Sequence, residues 1–197
     1  MLKTLKSYFG YTQFRPLQQE IITCILGKRE TPLVLMPTGG GKSICYQLPA
    51  LMMEGTAIVV SPLISLMKDQ VESLQANGII ARALNSSNDE TVNANLRFEC
   101  MQGRVKLLYI SPERLLSELN FLLKDIRVSL FAIDEAHCIS QWGHDFRPEY
   151  TQMGILHQLF PQVPIIALTA TADKITREDI IKTATPQPTE NFHFIFR

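Results

Sequence analysis

Short, almost continuous apolar runs alternate along the chain with longer stretches in which apolar residues recur every three or four positions. Runs of Val, Ile, Leu and Ala without polar alternation are typical of strands buried on both faces, as in parallel sheets. They predict six strands, at Pro32–Met36, Ala57–Val60, Ile79–Leu84, Lys106–Ile110, Ser129–Ile133 and Pro164–Leu168. The stretches between them predict helices, which right-handed crossovers between parallel strands require. The pattern therefore predicts an α/β fold with a mainly parallel sheet flanked by helices.

The stretch from Pro62 to Asn77 has the clearest helical spacing. Its apolar residues fall on one face, and they are Leu63, Leu66, Met67, Val71 and Leu74. Gly78 follows them, and glycine commonly ends a helix. The spacing therefore predicts an amphipathic helix between the second and third strands.

Composition places the chain among globular proteins. It has 197 residues, of which 46% are hydrophobic and 19% are charged, enough to bury a core without disulfides or a metal. The 19 Lys and Arg residues balance the 19 Asp and Glu residues. Bulk charge gives no reason to expect nucleic acid, a membrane surface or an acidic partner, so any such binding must come from a local patch.

The sequence carries no targeting or metal-binding pattern. Its apolar runs are far shorter than the ~20 residues of a membrane helix, and Met1–Tyr11 holds no signal-peptide core. The cysteines lack C-x-x-C spacing and the histidines lack metal-ligand spacing; they are Cys24, Cys45, Cys100, Cys138, His137, His144, His157 and His193. We expect a cytoplasmic protein with reduced thiols, no zinc site and no membrane partner.

The last residues differ in composition from the rest. Thr185–Glu190 is the only linker-like segment, and the apolar residues Phe192, Phe194, Ile195 and Phe196 follow it. The segment from Asn191 to Arg197 is too short to fold alone. The pattern predicts a β-like tail that leads to a further domain, and hence a sequence that is a fragment.

A glycine loop directly follows the first predicted strand. It consists of Pro37, Thr38, Gly39, Gly40, Gly41, Lys42 and Ser43, and it opens a helical stretch. In this setting glycine N–H groups cradle phosphate oxygens, a lysine reaches the β- and γ-phosphates, and a serine hydroxyl holds Mg²⁺. The usual pattern has glycine in place of Met36, but the inner glycines and the Lys42-Ser43 pair are intact. The alternative is an ordinary glycine-rich turn with a solvated lysine.

Two adjacent carboxylates, Asp134 and Glu135, follow the predicted strand Ser129–Ile133. Parallel sheets bind ligands at this end of their strands. Asp134 suits a role as Mg²⁺ ligand, and Glu135 suits the base that positions and deprotonates an attacking water. Taken alone, two adjacent acidic residues usually stabilise the N-terminus of a helix through their negative charge. Combined with the glycine loop, it predicts nucleoside triphosphate hydrolysis with Lys42, Asp134 and Glu135 as catalytic residues.

These motifs together resemble a known family. Met36–Ser43, Asp134–His137 and Leu168–Ala172 are similar to motifs I, II and III of superfamily-two helicases. More narrowly, the chain resembles the RecQ family of DNA helicases from Tyr8 to about Asp179. Phe14–Gln18 resembles that family's adenine-reading motif, Ser61–Leu66 its motif Ia, and Ile139–Pro148 its aromatic-rich loop. The aromatic-rich loop separates RecQ proteins from the RNA-directed DEAH helicases, with which this chain shares motif II.

The resemblance implies an ATP site. The adenine would stack near Tyr11 and Arg15, while Gln18 would present an amide to its N6–H and N7. The ATP-binding set is then Tyr11, Arg15, Gln18, Pro37, Thr38, Gly39, Gly40, Gly41, Lys42 and Ser43, with Ser43 and Asp134 as Mg²⁺ ligands. The alternative is that Arg15 and Gln18 only open a helix behind Pro16, a good first helical residue.

The resemblance also implies contacts with DNA. We call Ile139–Pro148 the aromatic segment; it contains Trp142, His144, Phe146 and Arg147 and would couple DNA binding to hydrolysis by stacking bases. Core packing is the alternative for its rings. Thr169 and Thr171 resemble hydrolysis-coupling threonines, although a strand-end turn also explains them. Phosphate contacts are expected from Ser61, Ser65, Lys68 and Ser111, although helix capping explains Ser61 and Ser111 equally well.

For the whole protein, the resemblance implies a RecA-like P-loop NTPase domain over residues 1–184, the first motor domain, and a linker over 185–197 toward a second RecA-like domain. The implied activity is ATP-dependent 3′-to-5′ unwinding in recombination and repair, on single-stranded DNA and fork or duplex junctions, with nucleoid association in a bacterium. Because the family completes its site with arginines from the second domain, each worth ~10³–10⁵ in rate, we expect slow hydrolysis by this chain alone. The alternatives are an ATP- and DNA-binding module with little activity and a small-molecule kinase, in which the aromatic segment would have no role.

Overall fold

The structure is a computed structural model that describes residues 1–28, 32–142, 145–184 and 194–196. Its α-helices are α1 Leu2–Phe9, α2 Gln18–Lys28, α3 Ile44–Met52, α4 Ile64–Ala76, α5 Glu90–Met101, α6 Pro112–Glu118, α7 Ile155–Leu159 and α8 Lys174–Ala184. Its strands are β1 Leu33–Leu35, β2 Thr56–Val60, β3 Ala81–Leu84, β4 Leu107–Ile110, β5 Val128–Ile133, β6 Ile165–Thr169 and β7 Phe194–Phe196. A π-helical turn covers Leu119–Leu123, and 3-10 turns cover Ala136–Ile139 and Pro148–Gln152.

The six strands predicted from the apolar runs are confirmed, each within two residues of its predicted ends. The chain divides into two compact units. The first contains Met1–Gln13 and Gln47–Phe131, and the second contains Phe14–Tyr46 and Ala132–Arg197. Each unit is described separately.

In the first unit, β3, β4 and β2 pair in parallel in that order, with β5 beside β2. Val60 and Leu84 both align with Ile110, so the three strands end at one level. Every residue of β2 and β4 is buried, as expected for strands covered on both faces. Ser61 and Ser111 directly follow the carboxyl ends of β2 and β4.

Helix α4 begins later than the spacing predicted. Its N-cap is Leu63, whose backbone is extended at φ −118° and ψ 114°, rather than a residue before Pro62. Met67 and Leu74 are buried as predicted, but Leu63 is exposed because it lies outside the helix and does not share the buried face. At the other end, Gly78 adopts φ 75° after the C-cap Asn77, which confirms the predicted stop.

In the second unit, β6, β1 and β7 pair in parallel in that order, with β5 beside β6. Leu35 at the end of β1 aligns with Thr169 at the end of β6. The register therefore places the glycine loop that follows β1 next to the segment that follows β6. The β-like tail predicted near the chain's end forms β7 on β1, whereas residues 185–193 lie outside the described part, and their assignment as a linker stays a prediction.

The four cysteines are free thiols, and Cys45, Cys100 and Cys138 are buried. Burial raises the pKa of the Cys45 and Cys100 thiols to about 12, so both stay protonated at neutral pH. None of the helices in the described part of the chain combines the length and apolar character that crossing a bilayer requires.

Candidate functional site

The glycine loop leads from the end of β1 to the start of α3. Gly39 and Gly41 have φ values of 77° and 85°, a left-handed backbone that residues with a Cβ rarely adopt. The N–H of Gly40 donates to the Pro37 carbonyl at 2.9 Å, and a Cβ on Gly40 would lie equally close to that oxygen, at 2.9 Å. The backbone of the loop itself therefore requires these three glycines.

Lys42 links the loop to the two predicted catalytic carboxylates. Its ammonium group donates to the Met36 carbonyl at 3.1 Å. Its positive charge also acts to lower the pKa of both Asp134 and Glu135, which requires the three charges to be close together. The structure thus brings the predicted phosphate-binding lysine and the predicted carboxylates into one site.

Gln18 and Arg15, both predicted to contact adenine, hold the glycine loop. The Gln18 side chain is only 4% exposed; it accepts from the Arg15 N–H at 2.9 Å and donates to the Gly41 carbonyl at 3.0 Å. The Arg15 guanidinium donates to the Gly39 carbonyl. Both ends of the Gln18 amide are therefore bonded within the protein, and each end keeps one further hydrogen-bonding site, an N–H or a lone pair, that these two bonds do not use. Adenine contact by these residues stays a prediction.

The helix-opening interpretation of this segment is correct in one respect. Helix α2 begins at Gln18, but Pro16 lies two residues earlier and is not its first residue. Leu17, between them, has φ 70°. A leucine in this left-handed region costs about 1–3 kcal/mol and persists only where its surroundings fix it. The bonds of Gln18 to Arg15 and Gly41 supply that constraint.

Asp134 follows β5 and is 8% exposed. Burial, together with the charge of Glu135, raises the pKa of its carboxyl to about 6, while Lys42 acts in the opposite direction. One carboxylate oxygen accepts from the Glu135 N–H at 3.0 Å. The fully buried Tyr150 donates its hydroxyl to the Asp134 carbonyl at 2.9 Å. Asp134 is therefore fixed through its backbone, and its charge is only partly compensated.

Glu135 has an unusual backbone for a residue with a side chain, at φ 50° and ψ 45°. It is the N-cap residue of the 3-10 turn Ala136–Ile139, but its side chain makes no capping hydrogen bond to that turn. A hydrogen bond from His137 and the charge of Lys42 hold the pKa of its carboxyl below the ordinary value. Glu135 is therefore ionised at neutral pH.

His137 joins Glu135 to the segment that follows β6. Its Nδ1 lies 3.2 Å from Glu135 Oε2 and 2.9 Å from Thr169 Oγ1. The Thr169 hydroxyl in turn donates to the Thr171 carbonyl at 2.9 Å. Hydrogen bonds with the side chains of Cys138 and Glu135 raise the pKa of His137 to about 10, which makes it an imidazolium at neutral pH. Thr169 thus contacts the site through its side chain, and Thr171 through its backbone.

The aromatic segment is described at Ile139–Trp142 and Asp145–Pro148, and His144 lies outside the described residues. Trp142 is 82% exposed, so the core-packing alternative is wrong for this ring. Phe146 is half-buried and Arg147 is exposed. The Arg147 N–H donates to the Cys138 carbonyl at 2.9 Å, which ties the end of the segment to the 3-10 turn beside Glu135.

Two serines predicted to contact DNA phosphates lie in the first unit. The hydroxyls of Ser61 and Ser111 are buried and, within the described residues, have no hydrogen-bond partner. Leu63 rather than Ser61 caps α4, and Ser111 caps α6 without a side-chain hydrogen bond. Helix capping therefore explains neither hydroxyl. Both hydroxyl oxygens are shielded from solvent, so their contact with DNA phosphates stays a prediction that requires neighbouring residues to move.

The remaining predicted residues of the first unit are exposed. Ser65 and Lys68 lie on α4, and the Lys68 ammonium is 3.9 Å from the Glu72 carboxylate. Tyr11, predicted to stack on adenine, is also exposed. These three roles stay predictions.

Sequence reasoning missed Tyr150 and Asp179. Tyr150 bonds to the Asp134 backbone, and Asp179 accepts from the Ser140 hydroxyl at 2.8 Å. No motif marked either residue, since each acts from outside the phosphate-binding sequences. Among the described residues, no group of three or more His, Cys, Asp or Glu side chains could hold a metal ion.

Comparison with protein families gives a match over most of the chain. A model of the DEAD/DEAH box helicase family matches residues 15–180. The chain is 56% identical over 182 residues to the ATP-dependent DNA helicase RecQ of Pasteurella multocida, covering 92% of this chain and 29% of that protein. It is 53% identical over 180 residues to the RecQ protein of Bacillus subtilis, covering 90% of this chain and 30% of that protein. The chain thus spans less than a third of the length of these relatives.

A solved structure gives the same fold. The Mycobacterium smegmatis helicase Lhr, bound to ssDNA and AMP-PNP, aligns with a TM-score of 0.73 at 18% identity, covering 98% of this chain and 27% of that one. The likeness confirms the predicted RecA-like α/β fold.

Proposed function

Because the chain belongs to the DEAD/DEAH box helicase family, we propose that it is the ATP-hydrolysing motor domain of a RecQ-type DNA helicase. The whole protein would couple ATP hydrolysis to 3′-to-5′ unwinding in DNA recombination and repair. The names of its relatives support this, since the two proteins compared above are both named ATP-dependent DNA helicase RecQ. The proposal includes a second RecA-like domain of the same protein and DNA, as single strand or as fork or duplex junction, as partners.

One observation carries the proposal: the placement of Glu135 between His137 and Lys42. The carboxylate stays ionised because both neighbours are cationic, so it can accept a proton from an attacking water. Its left-handed backbone is costly, and such strain is concentrated at functional sites.

The phosphates of ATP would bind the glycine loop. Its backbone N–H groups and the start of α3 would face the phosphate oxygens, and Lys42 would exchange its bond to the Met36 carbonyl for one to the β- and γ-phosphates. Gln18 and Arg15 would keep the carbonyls of Gly41 and Gly39 turned away from that anion. The site is thus organised before the nucleotide arrives.

The residues present also fit Mg²⁺. The Asp134 carboxyl has a pKa raised to about 6 because it is buried beside another negative charge, and a divalent cation would compensate that charge. Ser43, at the end of the glycine loop, would supply a hydroxyl oxygen, and hydroxyl and carboxylate oxygens are ligands that Mg²⁺ prefers. When bound, Mg²⁺ neutralises charge on the β- and γ-phosphates.

DNA would contact two surfaces. Ser61 and Ser111 directly follow β2 and β4, and their buried, unpartnered hydroxyls would bind phosphate oxygens once neighbouring residues uncover them, while Lys68 adds positive charge on α4. The exposed Trp142 suits a base, since aromatic faces stack on any base.

Steady-state ATP hydrolysis with and without single-stranded DNA tests the proposal, with Glu135→Gln as the blank. Glutamine keeps the shape of the side chain but cannot accept the proton, so the variant should bind ATP and turn over at least ~100-fold more slowly. Glu178→Gln, on the exposed face of α8, is the matched control for the chemical change. DNA-stimulated turnover above the blank supports the proposal. If neither this chain nor a longer one that includes the second domain exceeded the blank, the proposal would be wrong.

A further inference from the structure

Ser140 lies where the aromatic segment leaves the catalytic carboxylates. It ends the 3-10 turn Ala136–Ile139 with an extended backbone at φ −77° and ψ 124°. It is fully buried. The exposed Trp142 follows two residues later. The orientation of Ser140 therefore sets the direction in which the segment projects.

The Ser140 hydroxyl bonds on both sides. It donates to Asp179 Oδ2 at 2.8 Å and accepts from the Trp142 N–H at 3.4 Å. A carboxylate can only accept, so the hydroxyl proton must point at Asp179 and the oxygen lone pairs stay available to Trp142. The carboxylate thereby determines which way the hydroxyl faces.

Asp179 is held firmly relative to the end of β6. It lies on α8, whose first turn is capped by Asp173 Oδ1, which accepts from the Thr176 N–H at 2.8 Å. Arg177 Nε donates to the Ala172 carbonyl at 3.1 Å, just after the threonines that follow β6. Ile180, next to Asp179, is fully buried. The carboxylate is thus fixed to the segment that contacts the catalytic site.

We propose that Asp179 is a positioning residue for the aromatic segment. Its carboxylate holds the Ser140 hydroxyl so that it receives the Trp142 N–H, and this bond fixes the place of the exposed indole. The contact of Thr169 with His137 holds the other end of the same 3-10 turn. A displacement of the residues after β6 is therefore passed to Trp142 through Asp179 and Ser140. That the indole meets a DNA base rests on the proposed function; its positioning by Asp179 does not.

The fluorescence of Trp142 tests the positioning directly, because it is the only tryptophan of the 197 residues. Steady-state anisotropy of this chain is measured without ligand, and lower anisotropy means a more mobile indole. Asp179→Ala and Ser140→Ala should each lower it, and the double variant should lower it no further than Ser140→Ala alone, since that variant already removes both bonds of the hydroxyl. Asp179→Asn retains a carbonyl acceptor and should keep the parent value. Glu178→Ala removes a carboxylate from the adjacent exposed position of α8 and is the matched control.

Comparing the binding of DNA with the binding of ATP distinguishes a loss of Trp142 positioning from a general disruption of the fold. Asp179→Ala should weaken binding of a single-stranded oligothymidine about tenfold, the typical effect of losing one charge-assisted hydrogen bond. Its dissociation constant for ATP should stay within about twofold of the parent, since the glycine loop is not touched.

Three results would overturn the inference: a parent-like anisotropy in Asp179→Ala, failure of Asp179→Asn to restore it, or a parallel loss of ATP affinity. A parent chain whose anisotropy depends on Asp179 but which binds no DNA would support the positioning role and contradict the proposed function.

Discussion

His137 and Thr169 share a hydrogen bond of 2.9 Å that connects the turn after the two predicted catalytic carboxylates to the last residue of β6. Because the Thr169 hydroxyl donates to the Thr171 carbonyl, its oxygen must accept from the imidazole, which assigns a proton to Nδ1. The same Nδ1 lies 3.2 Å from Glu135 Oε2. A single ring nitrogen therefore joins the predicted base to the end of a strand.

Thr169→Val tests this link. Valine has the shape of threonine but cannot accept from His137, so the imidazole should lose the contact that orients it beside Glu135. We expect ATP hydrolysis to fall about tenfold to 100-fold, with ATP affinity little changed, as measured by steady-state rates and by nucleotide titration. Thr171→Val removes a hydroxyl but keeps the two backbone atoms that Thr169 contacts, and its effect should be smaller. An equal loss in both variants would contradict the assignment.

Gln18→Ala should destabilise the glycine loop and should also reduce the preference for ATP over GTP. The variant loses bonds to the Arg15 N–H and the Gly41 carbonyl, and the stability cost should be about 1–3 kcal/mol. Thermal unfolding without nucleotide measures this loss of stability, and Gln19→Ala, at the adjacent exposed position, should be neutral.

The parent chain should also bind ATP more tightly than GTP. Equal affinities for ATP and GTP would contradict adenine recognition by Gln18 and would leave only its role in holding the glycine loop.

Tyr150→Phe removes the hydroxyl that supports the Asp134 backbone and keeps the buried ring. We expect a loss of about 1 kcal/mol in unfolding free energy, measured in denaturant, together with slower ATP hydrolysis. Tyr109→Phe is the control, because it removes a buried hydroxyl that bonds to Gln47 in the first unit. It should cost similar stability without slowing hydrolysis. Equal rates for the two variants would deny Tyr150 a role at the site.

Stability should depend on pH through Asp134. Its pKa is raised from 3.8 to about 6 in the folded chain, so between these values the folded state binds more protons and becomes less stable as pH rises. The pKa of His137 is raised from 6.5 to about 10, so its own contribution to stability falls as pH rises above about 6 in the parent and in the variant alike. Asp134→Asn should therefore be more stable than the parent at pH 7, by on the order of 2 kcal/mol, and similar to it at pH 4. Unfolding curves at the two pH values measure the difference. A constant difference would contradict the shift.

Trp142→Ala should separate DNA binding from hydrolysis. The indole is exposed, so its removal should leave the affinity for ATP at the parent value. Stimulation of ATP hydrolysis by single-stranded DNA should fall, because base stacking contributes about 1–3 kcal/mol. The experiment uses the longer protein, in which turnover is expected to be faster. Undiminished stimulation would contradict the proposal that Trp142 couples DNA binding to ATP hydrolysis.

The sequence predicted the elements of the fold well because buried parallel strands leave a direct signature. The all-apolar runs at β2 and β6 have few alternative structures, and the glycine loop follows β1 without a gap. Leu63 was misplaced because helical spacing does not mark where a helix begins. An extended residue before the first turn can satisfy the same spacing without joining the buried face.

Contacts between distant segments could not be predicted in the same way. The bond of Gln18 to Gly41 and that of Ser140 to Asp179 join residues far apart in the chain. Gln18 was identified for its amide, but its partner in this structure is the loop backbone. Polar side chains have several possible acceptors, and only the packed fold determines which one they meet.

The contact between Gln18 and Gly41 also limits which single substitutions these two positions can accept. A Cβ on Gly41 would lie 2.5 Å from Gln18 Nε2, and its φ of 85° is a second obstacle. Replacing Gly41 first would therefore strain the backbone and displace the Gln18 amide from its bond to the loop. Replacing Gln18 first removes the collision but also the bond that holds the loop. Neither order of change passes through an undamaged intermediate, so positions 18 and 41 are expected to vary together or not at all among descendants of this chain.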